Sequence, residues 1–305
     1  MSLQALFSSL EIPDGERHRL FHGRGGQPGG PEWLTVDRYP PVLLVTAFRE
    51  PEAGMLDWLR QDALRYLPPL ECTTLVLQHR YGGQARNEVV AGSLPEMPLA
   101  REAGLVFRLD FRRGQNIGFF GDMLPARQWL RQNAAGLRVL NLFAFTCSFS
   151  VAALAGGADH VVNIDMSGAA LDIGRENHRL NDIDPERATF LPYNLFRSWK
   201  KLHQLGRYDL VIMDPPSRQK GSFIAERDYR RVMRQLHRLL QPRARLLACL
   251  NAPWLGEDFL DATVLDNLPG TRKLERFPPA PGFEEPGRDP ALKVIRYAYE
   301  RPEAT

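Results

Sequence analysis

The chain has 305 residues and a formal net charge of +3, with 44% hydrophobic and 25% charged residues, the balance of a soluble globular protein. No apolar run of about 18 residues or more occurs, and charges interrupt the N-terminal segment, so neither a membrane span nor a signal peptide is predicted. The slight basic excess permits a nucleic-acid partner without requiring one.

The three cysteines, Cys72, Cys147 and Cys249, lie far apart and form no Cys-x-x-Cys pair. This spacing predicts neither a disulfide framework nor a zinc site, and it favours a reducing, cytoplasmic environment. We therefore expect no bound metal.

The first third of the chain predicts a small α+β domain over residues 1–105. Its predicted elements are two strands around a Tyr-Pro-Pro turn in 33–48, a helix at 51–66, and strands at 73–79 and 104–111. The helix prediction rests on apolar residues at helical spacing, namely Met55, Leu56, Leu59 and Leu64.

The remainder, residues 106–305, alternates helix and strand patterns, which predicts an α/β domain with a Rossmann-like parallel sheet and helices on both faces. The predicted helices are 124–134, 148–156, 168–180 and 226–240, and the predicted strands are 138–143, 160–164, 188–192, 208–213, 245–250 and 292–299.

The turn that follows the first strand of this domain is the first candidate ligand site. Ligands of open α/β sheets bind beyond the carboxyl ends of the strands. Thr146 is a candidate N-cap for the next helix, whose N-terminus would attract a carboxylate such as that of S-adenosylmethionine (SAM). The turn alone fits any strand–helix connection equally well.

Polar residues after the next two strands add to this interpretation. Asp165 ends the second strand, where a carboxylate accepts the ribose hydroxyls of a nucleoside. It could instead cap the following helix, but Ser167 is placed to do so. Asn194, after the third strand, is placed either to contact an adenine edge or to act as a turn residue.

The sequence Asp214-Pro215-Pro216-Ser217 follows an apolar strand and is the most specific motif. Two prolines hold an extended, rigid turn that can present carbonyls and a side chain to a planar methyl acceptor. In enzymes that methylate amino groups an aromatic residue usually follows Pro-Pro and stacks on the base. Ser217 stands there in this chain, so Phe223 is the candidate for stacking.

With these motifs the chain resembles the bacterial ribosomal large-subunit RNA methyltransferases I and K/L from about residue 30 onwards. The family's leader before the first strand is similar to GFFGDMLPAR at 118–127, its turn to NLFAFTCSF at 141–149, and its middle domain opens like LTVDR at 34–38. Asp165 and the Asp-Pro-Pro motif match its second-strand acid and its acceptor loop.

The resemblance implies a SAM-dependent enzyme that methylates a base of 23S rRNA, received in a cleft between the two domains. It implies cofactor binding by Phe120, Asp122, Arg127, Asn141, Phe143, Phe145, Thr146, Asp165, Met166, Asn194, Leu195 and Asp214. It implies catalytic roles for Asp214, Pro215, Pro216 and Asn251.

Three departures limit the carry-over. The chain is too short for the RNA-binding PUA domain of methyltransferase I. Cys147 replaces the turn glycine, and Leu124 replaces an inner arginine of the leader.

The cysteine nucleophile of the cytosine-C5 members falls on Asn251 in this sequence. Cytosine C5 needs covalent activation by a thiolate, whereas a ring nitrogen with a lone pair needs alignment alone. A nitrogen acceptor is therefore favoured. Cys249 lies two residues earlier. It is either a core residue or a nucleophile shifted by two positions on the same strand face.

Basic residues form groups that are either solvated surface or RNA-phosphate contacts. They are Arg17, Arg19 and Arg24; Arg112 and Arg113; Arg197, Lys200 and Lys201; Arg227, Arg230, Arg231 and Arg234; and Lys220 in a loop with the composition of a lid.

The main hypothesis is an RNA base methyltransferase. The alternatives are a small-molecule or protein methyltransferase and a noncatalytic SAM- or RNA-binding protein.

Overall fold

The computed structural model describes residues 15–61, 63–83, 85–112, 115–219, 223–285 and 291–303. The chain divides into two compact units. The N-terminal unit is Met1–Leu124 with Pro279–Pro286, and the C-terminal unit is Pro125–Pro278 with Gly287–Thr305. The sequence-based division into 1–105 and 106–305 stays a prediction.

The N-terminal unit contains a five-stranded sheet whose spatial order follows the chain. Its strands are β1 (His18–His22), β2 (Leu34–Tyr39), β3 (Val42–Ala47), β4 (Thr74–His79) and β5 (Arg86–Ala91), and a hairpin of β6 (Leu99–Glu102) and β7 (Leu105–Arg108) follows. All residues of β2, β3 and β4 are buried. The two strands predicted in 33–48 are therefore confirmed.

Helix α1 of this unit (Ala53–Gln61) is shorter than the predicted 51–66, and a separate 3₁₀ turn occupies Ala63–Tyr66. Leu59 is buried, but Leu64 is 40% exposed, so the apolar stripe does not continue past the helix. The prediction extended the helix because Leu64 happens to fall on its apolar repeat.

The C-terminal unit contains a seven-stranded sheet in the order β10-β9-β8-β11-β14-β16-β15. Its strands are β8 (Arg138–Leu142), β9 (His160–Ile164), β10 (Ala188–Leu191), β11 (Tyr208–Met213), β14 (Leu240–Asn251), β15 (Thr271–Arg276) and β16 (Leu292–Glu300). The first five strands in this order are parallel, and β16 pairs antiparallel to both β14 and β15. The predicted mostly parallel α/β sheet is confirmed.

The helices of this unit are α2 (Leu124–Asn133), α3 (Ser148–Ala155), α4 (Gly168–Arg179), α5 (Trp199–Gln204), α6 (Ala225–Leu236) and α7 (Glu257–Asn267). A short hairpin, β12 (Arg218–Gln219) with β13 (Phe223–Ile224), precedes α6. Helix α6 ends four residues before the predicted end at 240, because β14 begins at Leu240 and not at 245. Within the described residues no helix is long and apolar enough to cross a membrane.

Candidate cofactor and acceptor site

The strand order reverses between β8 and β11, which makes the carboxyl ends of these strands the switch point of the sheet. Neighbouring parallel strands end at one edge, so the residues that follow them share that edge. The structure brings to it the turn 143–147 after β8, Asp165 and Met166 after β9, Asn194 after β10, Asp214 after β11, and Asn251 at the end of β14.

The turn after β8 is sharp and strained. Phe143, Phe145 and Cys147 have φ values of 58°, 47° and 64°, a region that residues with a side chain seldom occupy. Cys147, not Thr146, precedes the first residue of α3, so the predicted N-cap is wrong. Thr146 is buried, and its carbonyl accepts a hydrogen bond from Asn177 Nδ2 at 2.9 Å. Strain of this kind is typical of ligand-binding turns.

Asp165 links the turn after β8 to the turn after β9 by hydrogen bonds. Its Oδ2 accepts from the backbone N–H of Phe145 at 2.9 Å, and its Oδ1 accepts from that of Ser167 at 2.8 Å. The predicted cap is confirmed, because Ser167 Oγ accepts from Ala170 N at 3.1 Å. Each oxygen of a carboxylate can accept a second bond, so the half-buried Asp165 is held in place with acceptor capacity remaining.

Asn194 caps the 3₁₀ turn Leu195–Arg197, which agrees with the alternative that it is a turn residue. Its Oδ1 accepts from Phe196 N at 2.9 Å, and its Nδ2 lies 3.6 Å from the sulfur of Met166, which is 47% exposed. The side chain of Leu195 is buried in the core of the unit. A ligand at this edge therefore meets Met166 and the Asn194 amide before it meets Leu195.

A buried chain of hydrogen bonds supports the turn from below, and sequence reasoning found only its first member. Asn141 Nδ2 donates to Asn163 Oδ1 (2.9 Å), Asn163 Nδ2 to Ser150 Oγ (3.0 Å), and Ser150 Oγ lies 2.9 Å from His178 Nε2. His178 Nδ1 lies 2.6 Å from the carbonyl oxygen of Gly174. A neutral imidazole that donates from Nδ1 and accepts at Nε2 completes the chain.

Helix α4 must approach the turn closely for this chain to form. A Cβ at Gly174 would lie 2.6 Å from the sulfur of Cys147, so only glycine fits there. Burial raises the pKa of the Cys147 thiol well above its usual value, and Asp165 raises it further. Cys147 is therefore a packing residue and not a nucleophile.

His178 makes the stability of this unit depend on pH. Burial lowers its pKa below 6.5, so the unfolded chain takes up the proton first as the pH falls. The contribution of neutral His178 to the free energy of unfolding is complete above pH 6.5 and is lost as the pH falls towards the folded-state pKa. For one group the loss is at most about 1.4 kcal/mol per pH unit.

We expect chemical denaturation of His178→Gln to give a smaller loss of unfolding free energy between pH 6.5 and 5.5 than in the unsubstituted protein. The exposed His203→Gln is the matched control and should keep the full loss. Equal pH dependence in all three proteins would contradict the assignment.

The Asp-Pro-Pro turn lies on the other side of the switch point. Asp214 is half-buried, Pro215 is buried and Pro216 is exposed. Ser217 then accepts a hydrogen bond from Ala225 N at 3.0 Å, which closes the hairpin before α6. This bond fixes the loop where it leaves the Pro-Pro turn, and the rigidity expected from the two prolines stays a prediction.

Tyr229 and Cys249 lie in the interior next to this loop. The Tyr229 hydroxyl donates to the Cys249 carbonyl at 3.1 Å, and burial raises the Tyr229 pKa well above its usual value, with smaller contributions from neighbours that include Asp214. Cys249 is fully buried, whereas Asn251 at the end of β14 is exposed. The side chain at the predicted nucleophile position is therefore the accessible one.

Phe223 does not have the role predicted for it. It is fully buried and packs edge-on against Phe143, with ring centroids 5.0 Å apart, so it cannot stack on a base. The pattern gave no sign that β13 would turn this ring into the core. Tyr193 and Trp254 are the aromatic side chains with large exposure in the described part of the C-terminal unit.

Several arginines of the predicted basic groups form ion pairs within the protein. Arg17 is buried against Glu102, and Arg19 forms a two-bond pair with Asp37, so neither is the free surface cation that the sequence suggested. Arg227 and Arg231 both pair with the buried Asp228, whose pKa they help lower to about 2 against the effect of burial. Arg113 and Lys220 lie outside the described residues.

Arg24 and Arg80 form a different pair within the N-terminal unit. Their guanidinium carbons lie 4.3 and 5.2 Å from the centroid of the Phe48 ring. Burial lowers the pKa of Arg80, and the nearby charges of Arg24 and Arg19 lower it further. In the described part of the chain neither Arg24 nor Arg80 has a carboxylate partner.

The leader residues expected to bind the cofactor fall on both units. Phe120 is 40% exposed and Asp122 lies in the 3₁₀ turn Gly121–Met123, both in the N-terminal unit. Arg127 is buried in α2 of the C-terminal unit. Their roles toward the cofactor stay predictions.

Comparison with known proteins identifies the family of the chain. The family model of S-adenosylmethionine-dependent methyltransferases matches residues 18–298. A relative named ribosomal RNA large subunit methyltransferase I, from Aeromonas hydrophila, is 34% identical over 233 residues, which are 73% of this chain and 57% of the relative. The chain thus spans little more than half the length of this relative.

Solved structures share the fold. A methyltransferase complexed with SAH is 24% identical, with a TM-score of 0.82 over 92% of this chain and 75% of that chain. A SAM-dependent methyltransferase from Streptococcus mutans is 23% identical, with a TM-score of 0.80 over 92% and 74%. By the family match, this chain belongs to the S-adenosylmethionine-dependent methyltransferases, whose cofactor is SAM.

Proposed function

We propose that the protein transfers the methyl group of SAM to a base of RNA, with 23S rRNA as the first candidate. The observation that carries the proposal is the placement of Asp165 and Asp214 at the same sheet edge, on opposite sides of the switch point. The name of the Aeromonas relative supports ribosomal RNA as the acceptor.

The residues at this edge fit SAM by their chemistry. The Asp165 carboxylate is held by two backbone N–H groups and can still accept from ribose hydroxyls. The exposed Met166 offers an apolar, polarizable surface for an adenine ring, beside the Asn194 amide. The remaining predicted cofactor residues keep the roles that the resemblance implies.

The Asp-Pro-Pro turn would hold the acceptor. SAM supplies an electrophilic methyl group, and transfer by in-line displacement depends above all on alignment. Asp214 and the carbonyls of Pro215 and Pro216 would orient a planar base, and the exposed amide of Asn251 would bond to its edge. We therefore favour a ring or amino nitrogen as the atom that is methylated.

Cys249 provides the test of this acceptor. Because the thiol is fully buried, Cys249→Ser should keep most of the methyl transfer, and RNA that contains 5-fluorocytosine should form no covalent adduct with the protein. Gel electrophoresis under denaturing conditions detects such an adduct. Cys72→Ser, which alters a buried cysteine of the other unit, is the matched control.

An adduct that forms with the unsubstituted protein and is lost in Cys249→Ser would contradict a nitrogen acceptor. The protein would then be a cytosine-C5 methyltransferase whose nucleophile is shifted by two residues.

The Arg24–Phe48–Arg80 group supports RNA as the partner. These residues follow β1, β3 and β4, and the register of the sheet brings the ends of these strands to one edge. Two cations that have no carboxylate partner among the described residues, beside an aromatic ring, suit a phosphate and a stacked base. The exposed Arg230 of α6 is a further candidate for a phosphate contact.

A ribosomal acceptor and three free cysteines favour a cytoplasmic site of action.

The function is tested with the purified 305-residue protein, tritiated SAM and 23S rRNA transcribed in vitro. We expect tritium in the RNA, with none transferred to bovine serum albumin. Label in protein alone would favour a protein acceptor and overturn the proposal.

A further inference from the structure

The acceptor turn has no aromatic side chain of its own, since Ser217 follows Pro216 and Phe223 is buried. We infer that Trp254 is the surface on which the acceptor base stacks. This inference rests on the proposed function and adds to it a residue that selects for a planar acceptor.

Trp254 is held in one orientation by two charged neighbours. Its indole N–H donates to Glu226 Oε1 at 2.7 Å, and the same oxygen lies 3.1 Å from Arg218 Nη2. The Arg218 guanidinium lies over the indole ring, 5.2 Å from its centroid. A cation therefore lies over one face of a residue that is still 53% exposed, so apolar surface remains for a ligand.

The loop that carries Trp254 starts at the acceptor edge. Met213 pairs with Ala248, so Asp214 leaves the sheet beside Cys249, and β14 ends two residues later at Asn251. Trp254 is the third residue after Asn251. Arg218 likewise lies four residues after Asp214, so the indole and the guanidinium that covers it come from the two connections that bear Asn251 and Asp214.

This loop is anchored and not merely exposed. Leu255 N donates to the Ala252 carbonyl at 3.1 Å, and the fully buried Lys293 donates to the Leu255 carbonyl at 2.6 Å. An exposed tryptophan leaves apolar surface in contact with water. The contacts with Glu226 and Arg218 fix the Trp254 ring without burying it, which indicates a ligand-binding role.

Among the described residues of this unit, Tyr193 is the other aromatic side chain with large exposure. It follows β10, two strands beyond β8 on the Asp165 side of the switch point. Trp254 follows β14, which lies next to β11, the strand that Asp214 follows. The strand order therefore favours Trp254 for the base. The pKa of Glu226 is lowered by its own backbone N–H and by the bond from Trp254, which keeps the acceptor of the indole N–H charged.

The test compares Trp254→Ala and Trp254→Phe with the unsubstituted 305-residue protein on 23S rRNA transcribed in vitro. Stacking of one base is worth about 5- to 150-fold in binding. We expect kcat/KM for RNA to fall by about that factor in Trp254→Ala, while Trp254→Phe, which keeps a ring, stays within about threefold. The Kd for SAM, measured by calorimetry, should not change in either variant.

Leu274→Ala, which removes an exposed apolar side chain from edge strand β15, is the matched control and should be fully active. A Trp254→Ala protein within twofold of the unsubstituted one would overturn the inference, and so would equal losses in the alanine and phenylalanine variants. Failure of the unsubstituted protein to label RNA would instead overturn the proposed function on which the inference rests.

Discussion

Asp214→Ala should lower the turnover of methyl transfer by about 10²- to 10³-fold, the cost of removing one preorganised polar group from a reacting centre. Its affinity for SAM should change by less than about threefold, because the side chain would act on the acceptor. The rigid Pro215-Pro216 turn and the closed hairpin behind it should survive the substitution, since the Asp214 side chain takes no part in the bond between Ser217 and Ala225.

Asp209→Asn is the matched control, because Asp209 is the second residue of β11, the strand that Asp214 follows. Its Oδ2 accepts from Arg138 N at 2.9 Å, away from the proposed acceptor. We expect near-normal turnover in this variant. Equal losses of turnover and SAM affinity in Asp214→Ala would mean that Asp214 has only a structural role.

Asp165→Ala should weaken SAM binding by roughly 10²- to 10⁴-fold, because two bonds to the ribose would be lost and charge-assisted hydrogen bonds contribute about 1.5–3 kcal/mol each. The same change releases the N–H groups of Phe145 and Ser167, so the strained turn would also lose its support. Both effects act on cofactor affinity, which calorimetry measures directly.

Ser167→Ala separates ribose binding from helix capping. It removes the cap at Ala170 N and should cost about 1 kcal/mol of stability, while leaving the Asp165 carboxylate in place. SAM affinity should therefore stay close to normal in this variant. Unchanged affinity in Asp165→Ala would remove Asp165 from the cofactor site.

The parallel core of the sheet could be predicted because β8, β9 and β11 are short apolar runs between helical patterns. Asp165 and Asp214 could be predicted for the same reason, since each ends such a run. Strands β1 and β5 gave no comparable signal, because their sequences HRLFH and RNEVVA are rich in polar residues and β5 is a half-exposed edge strand. Helix α7 was missed because it buries only Leu260 and Val264.

Other features depend on contacts between distant segments. The left-handed conformation of Cys147 is possible because Gly174 on another helix leaves room for its sulfur. The contacts between Ser150 and His178 and between Trp254 and Glu226 join residues 28 positions apart in each case. No local pattern predicts such pairs, so the support of the turn and the orientation of the indole emerged only from the structure.

The central claim, SAM-dependent methylation of an RNA base, is tested most directly by mass spectrometry of nucleosides after reaction with SAM that carries a trideuterated methyl group. The acceptors are 23S rRNA, 16S rRNA and transfer RNA transcribed in vitro, with Asp214→Ala as the inactive control. We expect one trideuteromethylated nucleoside, from 23S rRNA, with the label on a nitrogen. A protein that binds SAM with normal affinity but labels no nucleoside in any of the three RNAs would contradict it.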